Sequence, residues 1–181
     1  MNTKRIVITG GPGSGKTSLI NELESKGFAC LPEISREVIK KAQEEGIDQL
    51  FLEEPLLFSQ RLLEGRLKQF QEAQNYKEPR LFYDRGMPDV VAYMDYINTD
   101  YPKEFEKTCQ DHRYDVVFLL PPWEAIYQQD NERYESYEQA EKIFQYLDRA
   151  YQRYGYEVHH VPFGTLPYRS EFILKKLSQL L

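Results

Sequence analysis

The segment GGPGSGKT at residues 10–17 constrains this chain more than any other feature of its sequence. It fits the pattern G-x-x-x-x-G-K-[ST], in which the glycines let successive backbone N–H groups surround a phosphate and the following helix adds the positive end of its dipole. An apolar run at residues 6–8 predicts a strand before it, and residues 18–20 predict a helix after it. Strand, loop and helix in this order predict a phosphate-binding loop.

The side chains of this loop have predicted roles toward a bound nucleotide. Lys16 is expected to reach the β- and γ-phosphates of ATP, and the Thr17 hydroxyl group is expected to ligate Mg²⁺. No N-K-x-D sequence is present to recognise guanine, and we therefore expect an adenine nucleotide. The length of 181 residues fits a small kinase better than a larger motor ATPase. The predicted nucleotide-binding residues are Gly10, Gly11, Pro12, Gly13, Ser14, Gly15, Lys16, Thr17 and Ser18.

Length and composition limit the other classes of function. A chain of 181 residues predicts a single domain, spanning residues 1–181. With 41% hydrophobic and 29% charged residues it is expected to be soluble and globular, and its net charge of -6 argues against a nucleic-acid partner. No apolar run reaches the ~18 residues of a membrane span, and two distant cysteines favour a reducing, cytoplasmic location. The sequence leaves the oligomeric state open.

Short apolar runs alternate with longer segments of helical periodicity. This alternation is typical of parallel βαβ units with helices on both faces of a sheet, and it predicts the α/β fold class. Apolar residues at helical spacing predict helices that begin near Leu19, at Pro55 and near Val90, and a further helix over residues 140–154. The predicted strands are residues 5–9, 28–31, 81–83, 116–120 and 157–161.

An acid and an arginine follow the third predicted strand. In a phosphate-loop fold, a carboxylate at Asp84 would lie beside the loop, where it can hold Mg²⁺ or take a proton from the acceptor. Arg85 would reach the transferred or accepting phosphate with its planar guanidinium group. The alternative is a structural turn closed by a contact between Asp84 and Arg85. We favour the functional interpretation, because ligands of α/β folds bind at the carboxyl ends of the strands.

Glu33 follows the second predicted strand. The same position at a carboxyl end would bring it to the acceptor, where it could accept a hydroxyl proton or orient the hydroxyl group. Glu37, one helical turn further on, is a weaker candidate for this role. The alternative is that Pro32 and Glu33 simply begin a helix whose dipole the carboxylate complements.

Residues 122–136 are a predicted lid. Pro121 and Pro122 end the fourth strand, and the segment that follows lacks a sustained apolar stripe. Arg133 is a candidate catalytic residue here, because a lid arginine can cover the γ-phosphate while closure excludes water. Six acidic residues surround it, so a solvated acidic helix face is the alternative. The loop at residues 161–169 is expected either to pack against adenine or only to connect to the last helix.

The order of these motifs resembles that of small P-loop kinase-like ATPases often labelled AAA domains, which are related to ribosylnicotinamide kinases and more distantly to deoxynucleoside and thymidylate kinases. The matching segments are GGPGSGKTS at residues 10–18, PEISREVI at residues 32–39, YDRG at residues 83–86 and D-x-x-R at residues 130–133. The resemblance implies a P-loop NTPase fold, a three-layer αβα sandwich with a five-stranded parallel sheet in the order 2-3-1-4-5. It also implies ATP and Mg²⁺ as cofactors and transfer of the γ-phosphoryl group to a small-molecule acceptor, such as a nucleoside or related metabolite. An ATP-hydrolysing regulatory protein or nucleotide-binding switch is the alternative function.

Overall fold

The computed structural model describes residues 3–126 and 135–181. Its centre is a sheet of five parallel strands in the order β2-β3-β1-β4-β5, as predicted. The strands are β1 (Lys4–Gly10), β2 (Ala29–Leu31), β3 (Arg80–Asp84), β4 (Val116–Leu120) and β5 (Val158–His160). Each end lies within one residue of the predicted bound, because a buried parallel strand is a continuous apolar run flanked by turn signals.

Eight α-helices are described. They are α1 (Lys16–Ser25), α2 (Ser35–Glu44), α3 (Leu50–Glu53), α4 (Pro55–Glu72), α5 (Pro88–Tyr96), α6 (Lys103–Asp111), α7 (Tyr137–Arg153) and α8 (Leu166–Leu180). Pro55 begins α4 as predicted. The sequence does not predict α6, because this helix has only nine residues and buries only Phe105 and Cys109. Within residues 3–126 and 135–181, no helix is both long and apolar enough to cross a membrane.

The core contains one layer of side chains on each face of the sheet. Ile6 and Ile8 of β1 pack with α1 and α8, whereas Val7 between them packs with α4, α5 and α7. This alternation produces the predicted αβα sandwich. Since helices cover both faces, the carboxyl ends of the strands are where a small ligand can reach the sheet.

Capping side chains determine where two helices begin near this edge. The Ser136 hydroxyl group accepts a hydrogen bond from Gln139 N, and the Gln139 side chain accepts one from Ser136 N at 2.7 Å. The Thr165 hydroxyl group caps α8 by accepting a bond from Tyr168 N. Caps of this kind each stabilise a helix by about 1 kcal/mol. The connection that follows β4 therefore ends at Ser136, and the connection that follows β5 ends at Thr165.

Candidate functional site

The predicted phosphate loop connects β1 to α1 and has a backbone that only glycine can adopt at its tightest points. Gly15 has φ 78°, and a Cβ atom there would lie 2.9 Å from Arg169 Nη1. A Cβ atom at Gly10 would lie 2.9 Å from the carbonyl oxygen of Leu120. The Ser14 hydroxyl group is buried and has no hydrogen-bond partner among the described residues. A tight glycine loop before a helix, with an unpartnered buried hydroxyl group, fits a bound phosphate.

Lys16 and Asp84 form a buried ion pair beside this loop. Asp84 is the last residue of β3 and is in register with Ile8 of β1, so its side chain reaches the start of α1. Lys16 Nζ donates to Asp84 Oδ1, and both residues are only 8% exposed. Burial lowers the pKa of Lys16, the charge of Arg85 lowers it further, and Asp84 opposes both effects. Thr17, by contrast, lies exposed in the first turn of α1.

Glu33 and Arg85 are brought together by the ends of β2 and β3. Arg85 Nε donates to Glu33 Oε2, so Arg85 pairs with Glu33 while Asp84 pairs with Lys16. Glu33 Oε1 also accepts a weaker bond from Ser35 N at 3.3 Å, at the start of α2. Glu33 therefore lies both at the strand ends and beside the start of a helix, and its role toward an acceptor stays a prediction.

Arg66 of α4 is a site residue that the sequence interpretation missed. Its Nη2 donates to Glu33 Oε1 at 3.0 Å and its Nη1 donates to the carbonyl oxygen of Gly86 at 3.1 Å. The residue is 3% exposed, and such burial of an arginine requires pairing. Arg66 falls four residues after Leu62 and four before Phe70, on the apolar stripe of α4. A charged residue within such a stripe was the signal for it.

Asp89, in the first turn of α5, is a second residue that sequence reasoning missed. Its carboxylate accepts bonds from Thr9 Oγ1 and the Tyr151 hydroxyl group, both at 2.5 Å, and from Gly86 N at 3.0 Å. Arg85 Nη1 lies 3.6 Å from Asp89 Oδ1, and Arg85 adopts the left-handed φ of 72° that is unusual for a side chain of its size. The guanidinium group of Arg85 is therefore held between two carboxylates.

The ion pairs of the cluster shift the pKa values of its members, and the pKa of Glu33 shows this most clearly. Burial alone would raise the pKa of Glu33, but the charges of Arg85, Arg66 and Lys16 outweigh it and lower the pKa to about 2. Burial likewise opposes the charge of Arg85, yet Glu33 and Asp89 raise the pKa of Arg85 overall. The carboxylate of Glu33 is thus ionised throughout the physiological range.

A pocket of 220 Å³ opens beside this cluster. Gly11 and Pro12 of the phosphate loop form one wall, and the Glu33 and Arg85 side chains form another. The remaining walls are mainly apolar and aromatic, and include Phe58, Leu62, Val90, Tyr93, Tyr96, Ile143, Tyr146 and Leu147. The pocket therefore adjoins both the phosphate loop and the charged strand ends.

The start of α8 and the connection that precedes it approach the phosphate loop from the other side. Arg169 is 1% exposed and donates to the carbonyl oxygens of Ser14 at 3.1 Å and Pro162 at 3.0 Å. The Phe163 ring stacks on Trp123 at 5.3 Å, and Trp123 N donates to the carbonyl oxygen of Gly13 at 3.0 Å. Two connections, one after β4 and one after β5, thus meet at the phosphate loop.

One predicted residue, Glu37, lies away from this cluster. Glu37 is on the exposed face of α2, where its carboxylate pairs with Lys41 at 2.9 Å. Arg133 and most of the predicted lid, residues 127–134, lie outside the described residues.

Glu33→Gln is expected to remove about 3 kcal/mol of stability at neutral pH, the equivalent of a pKa held at about 2 instead of 4.5. Because folding lowers the pKa of Glu33, this stabilisation is complete above pH 4.5 and is lost as the pH falls toward 2. The difference in unfolding free energy between wild type and Glu33→Gln should therefore shrink over this range. Chemical denaturation at several pH values measures it, with Glu37→Gln as the matched surface control. A difference that does not change with pH would contradict the expectation.

A family model described as AAA domain matches residues 5–169. The chain belongs to this family. The match includes the phosphate loop, Glu33, Arg66, Asp84 and Asp89, and it ends at Arg169, the residue that contacts the loop from α8. This AAA domain therefore contains every described part of the candidate site.

Solved structures with the same fold include kinases and a NadR protein. A NadR protein in complex with NR has a TM-score of 0.75 and 21% identity, over 99% of this chain and 52% of that one. Deoxyadenosine kinase from M. mycoides has a TM-score of 0.69 and 18% identity, over 97% of this chain and 99% of that one. Thymidylate kinase from Candida albicans has a TM-score of 0.70 and 16% identity, over 98% and 92%. At these identities the likeness shows a P-loop kinase-like fold. No curated protein matches the chain.

Proposed function

We propose that this AAA domain transfers the γ-phosphoryl group of ATP to a hydroxyl group of a small-molecule acceptor, in the class of nucleosides and related metabolites. The position of the 220 Å³ pocket carries this proposal, since it shares Gly11 with the phosphate loop and Glu33 with the strand ends. A hydrolase needs room only for water beside the γ-phosphate, whereas a lined pocket suits a second substrate. The kinases that share the fold support the same reaction class.

The residues around the loop suit ATP and Mg²⁺. Lys16 and the loop N–H groups would hold the phosphates, and Thr17 and Asp84 would hold Mg²⁺, which offsets negative charge on the phosphates when bound. Lys16 then leaves its ion pair with Asp84, since one ammonium group exchanges a carboxylate for phosphate oxygens. Asp84 would then be free to hold Mg²⁺.

Glu33 is proposed to orient the acceptor hydroxyl group and not to act as a strong base. A carboxylate with a pKa of about 2 takes up a proton poorly at neutral pH, although it still accepts a hydrogen bond. Phosphoryl transfer passes through a loose transition state in which positioning matters more than proton removal. Arg85, held by Glu33 and Asp89, would offset charge near the transferred group. Arg133 remains a proposed lid arginine on sequence grounds alone.

Transfer and hydrolysis are separable in one experiment. Glu33→Gln is expected to slow phosphorylation of an acceptor by about 10² while changing background ATP hydrolysis much less, since its partner is the acceptor hydroxyl group. Release of inorganic phosphate and formation of phosphorylated acceptor are measured together over a nucleoside panel, with Glu37→Gln as the control. ATP hydrolysis with no acceptor phosphorylated would instead identify a hydrolase or switch.

Adenine nucleotides are expected to bind more tightly than guanine nucleotides. The chain lacks N-K-x-D, and the stacked Trp123 and Phe163 rings beside the loop offer a flat surface to a base. Trp123 is the single tryptophan of the chain, so its fluorescence is expected to change when ADP binds. Titration with ADP and GDP measures both affinities, and Phe163→Leu should weaken them. Tighter binding of GDP would overturn this preference.

A further inference from the structure

Extending the proposed function, we propose that the acceptor carries no phosphate group and that the pocket takes a neutral alcohol attached to one flat, aromatic ring system. Two independent features of the pocket lead to this class. One is the pairing of its charged side chains, and the other is the nature and size of its apolar walls.

Both arginines of the pocket are already paired with carboxylates. A phosphorylated acceptor is normally held by guanidinium groups that offer two free N–H donors each. Among the described residues, the pocket is lined by two arginines, Arg66 and Arg85. Arg66 uses one Nη on Glu33 and the other on Gly86 O, and its Nε, which has no partner among the described residues, is buried. Arg85 uses Nε on Glu33 and directs Nη1 at Asp89, 3.6 Å from Oδ1.

A phosphate in this pocket would meet arginines whose charge is already balanced by carboxylates. Glu33 and Asp89 balance the two guanidinium groups. The low pKa of Glu33 keeps its negative charge at neutral pH. An anionic acceptor would have to compete with Glu33 for both arginines. The pocket therefore disfavours a monophosphate.

A neutral hydroxyl group, in contrast, has a suitable partner. A carboxylate offers about four lone-pair positions. Within the described part of the chain, Glu33 uses three of them, for Arg66, Ser35 N and Arg85. The remaining position lies on Oε2, the oxygen that Arg85 contacts. One hydroxyl donor completes the hydrogen bonding of Glu33 without disturbing its ion pairs.

The other walls suit a flat ring. Phe58, Tyr93, Tyr96 and Tyr146 line the pocket together with aliphatic side chains. The Tyr96 and Tyr146 rings, which both line the cavity, pack edge to face with their centroids 5.7 Å apart. This contact fixes the orientation of the two rings relative to each other. The volume of 220 Å³ is below the roughly 300 Å³ at the lower end of ligand pockets, so it suits one ring system and its hydroxyl-bearing arm.

Calorimetry on the full chain with bound Mg·ADP tests this class. The probes are adenosine, cytidine, uridine and thymidine, each compared with its own 5′-monophosphate. At least one nucleoside is expected to bind about tenfold or more tightly than its monophosphate. Tyr146→Ala should weaken nucleoside binding by a similar factor, because it removes a ring from the pocket wall.

The variant Glu33→Gln tests directly whether the charge of Glu33 disfavours a monophosphate. The amide keeps the size of the side chain but removes the charge that neutralises Arg66 and Arg85, and monophosphate affinity should rise about tenfold, while Glu37→Gln changes nothing. Tighter binding of monophosphates by the wild type, or no nucleoside binding at all, overturns the inference. The wild-type comparison decides even if Glu33→Gln fails to fold. Binding of nucleosides without phosphoryl transfer would contradict the proposed function alone, whereas phosphorylation of monophosphates would contradict only the acceptor class.

Discussion

Lys16→Ala is expected to abolish tight binding of Mg·ATP and to lower turnover by about 10³-fold. Lys16 is the only cationic side chain within residues 10–18, so no neighbour in the loop can replace its contacts with the phosphates. The substitution also leaves Asp84 buried without its ammonium partner, and an unpaired carboxylate repels the incoming phosphates. The two effects act in the same direction.

Isothermal titration calorimetry with Mg·ATP measures the first effect, and steady-state ATP consumption measures the second. Lys26→Ala is the matched control, because Lys26 lies at the other end of α1 and pairs with Glu22 on the surface. Circular dichroism establishes that each variant is folded. Wild-type ATP affinity in folded Lys16→Ala protein would show that the loop does not bind phosphate in the way proposed here.

Asp84→Asn is expected to lower turnover by about 10² or more while much of the nucleotide affinity remains. The amide preserves the shape of the side chain at the end of β3, so the strand and the loop should keep their positions. The substitution removes the negative charge with which Asp84 is proposed to hold Mg²⁺. We therefore expect the rate of the metal-dependent step to fall. Lys16 would still contact the phosphates.

Turnover at increasing Mg²⁺ concentration distinguishes this role from a structural one. We expect Asp84→Asn to require more Mg²⁺ for half-maximal turnover, whereas Asp95→Asn, which breaks a surface ion pair with Arg153, should behave as wild type. The melting temperature of each variant reports on the fold. A stable Asp84→Asn protein with unchanged turnover and Mg²⁺ dependence would show that Asp84 serves only to neutralise buried Lys16.

Much of the fold is predictable because its signals are local. The apolar runs of the strands, Pro55 at the start of α4 and the glycines of the phosphate loop each follow from the preferences of a few neighbouring residues. The parallel order of the sheet was implied by the resemblance and is confirmed by the structure. Helix α6 was not predicted because its local signal is small: only two of its nine residues are buried.

The candidate site, like the fold, has features that the sequence predicts and features that only the tertiary structure shows. The sequence by itself determined the phosphate loop and the candidates Glu33, Asp84 and Arg85, because each lies at the carboxyl end of a recognisable strand or within two residues of it. Only the tertiary structure decided which charges pair: Lys16 with Asp84, and Arg85 with Glu33 and Asp89. It also brought in Arg66, 33 residues from Glu33 along the chain. Partners this distant meet only when α4 packs across the strand ends, and buried charges then pair because leaving one unpaired costs several kcal/mol.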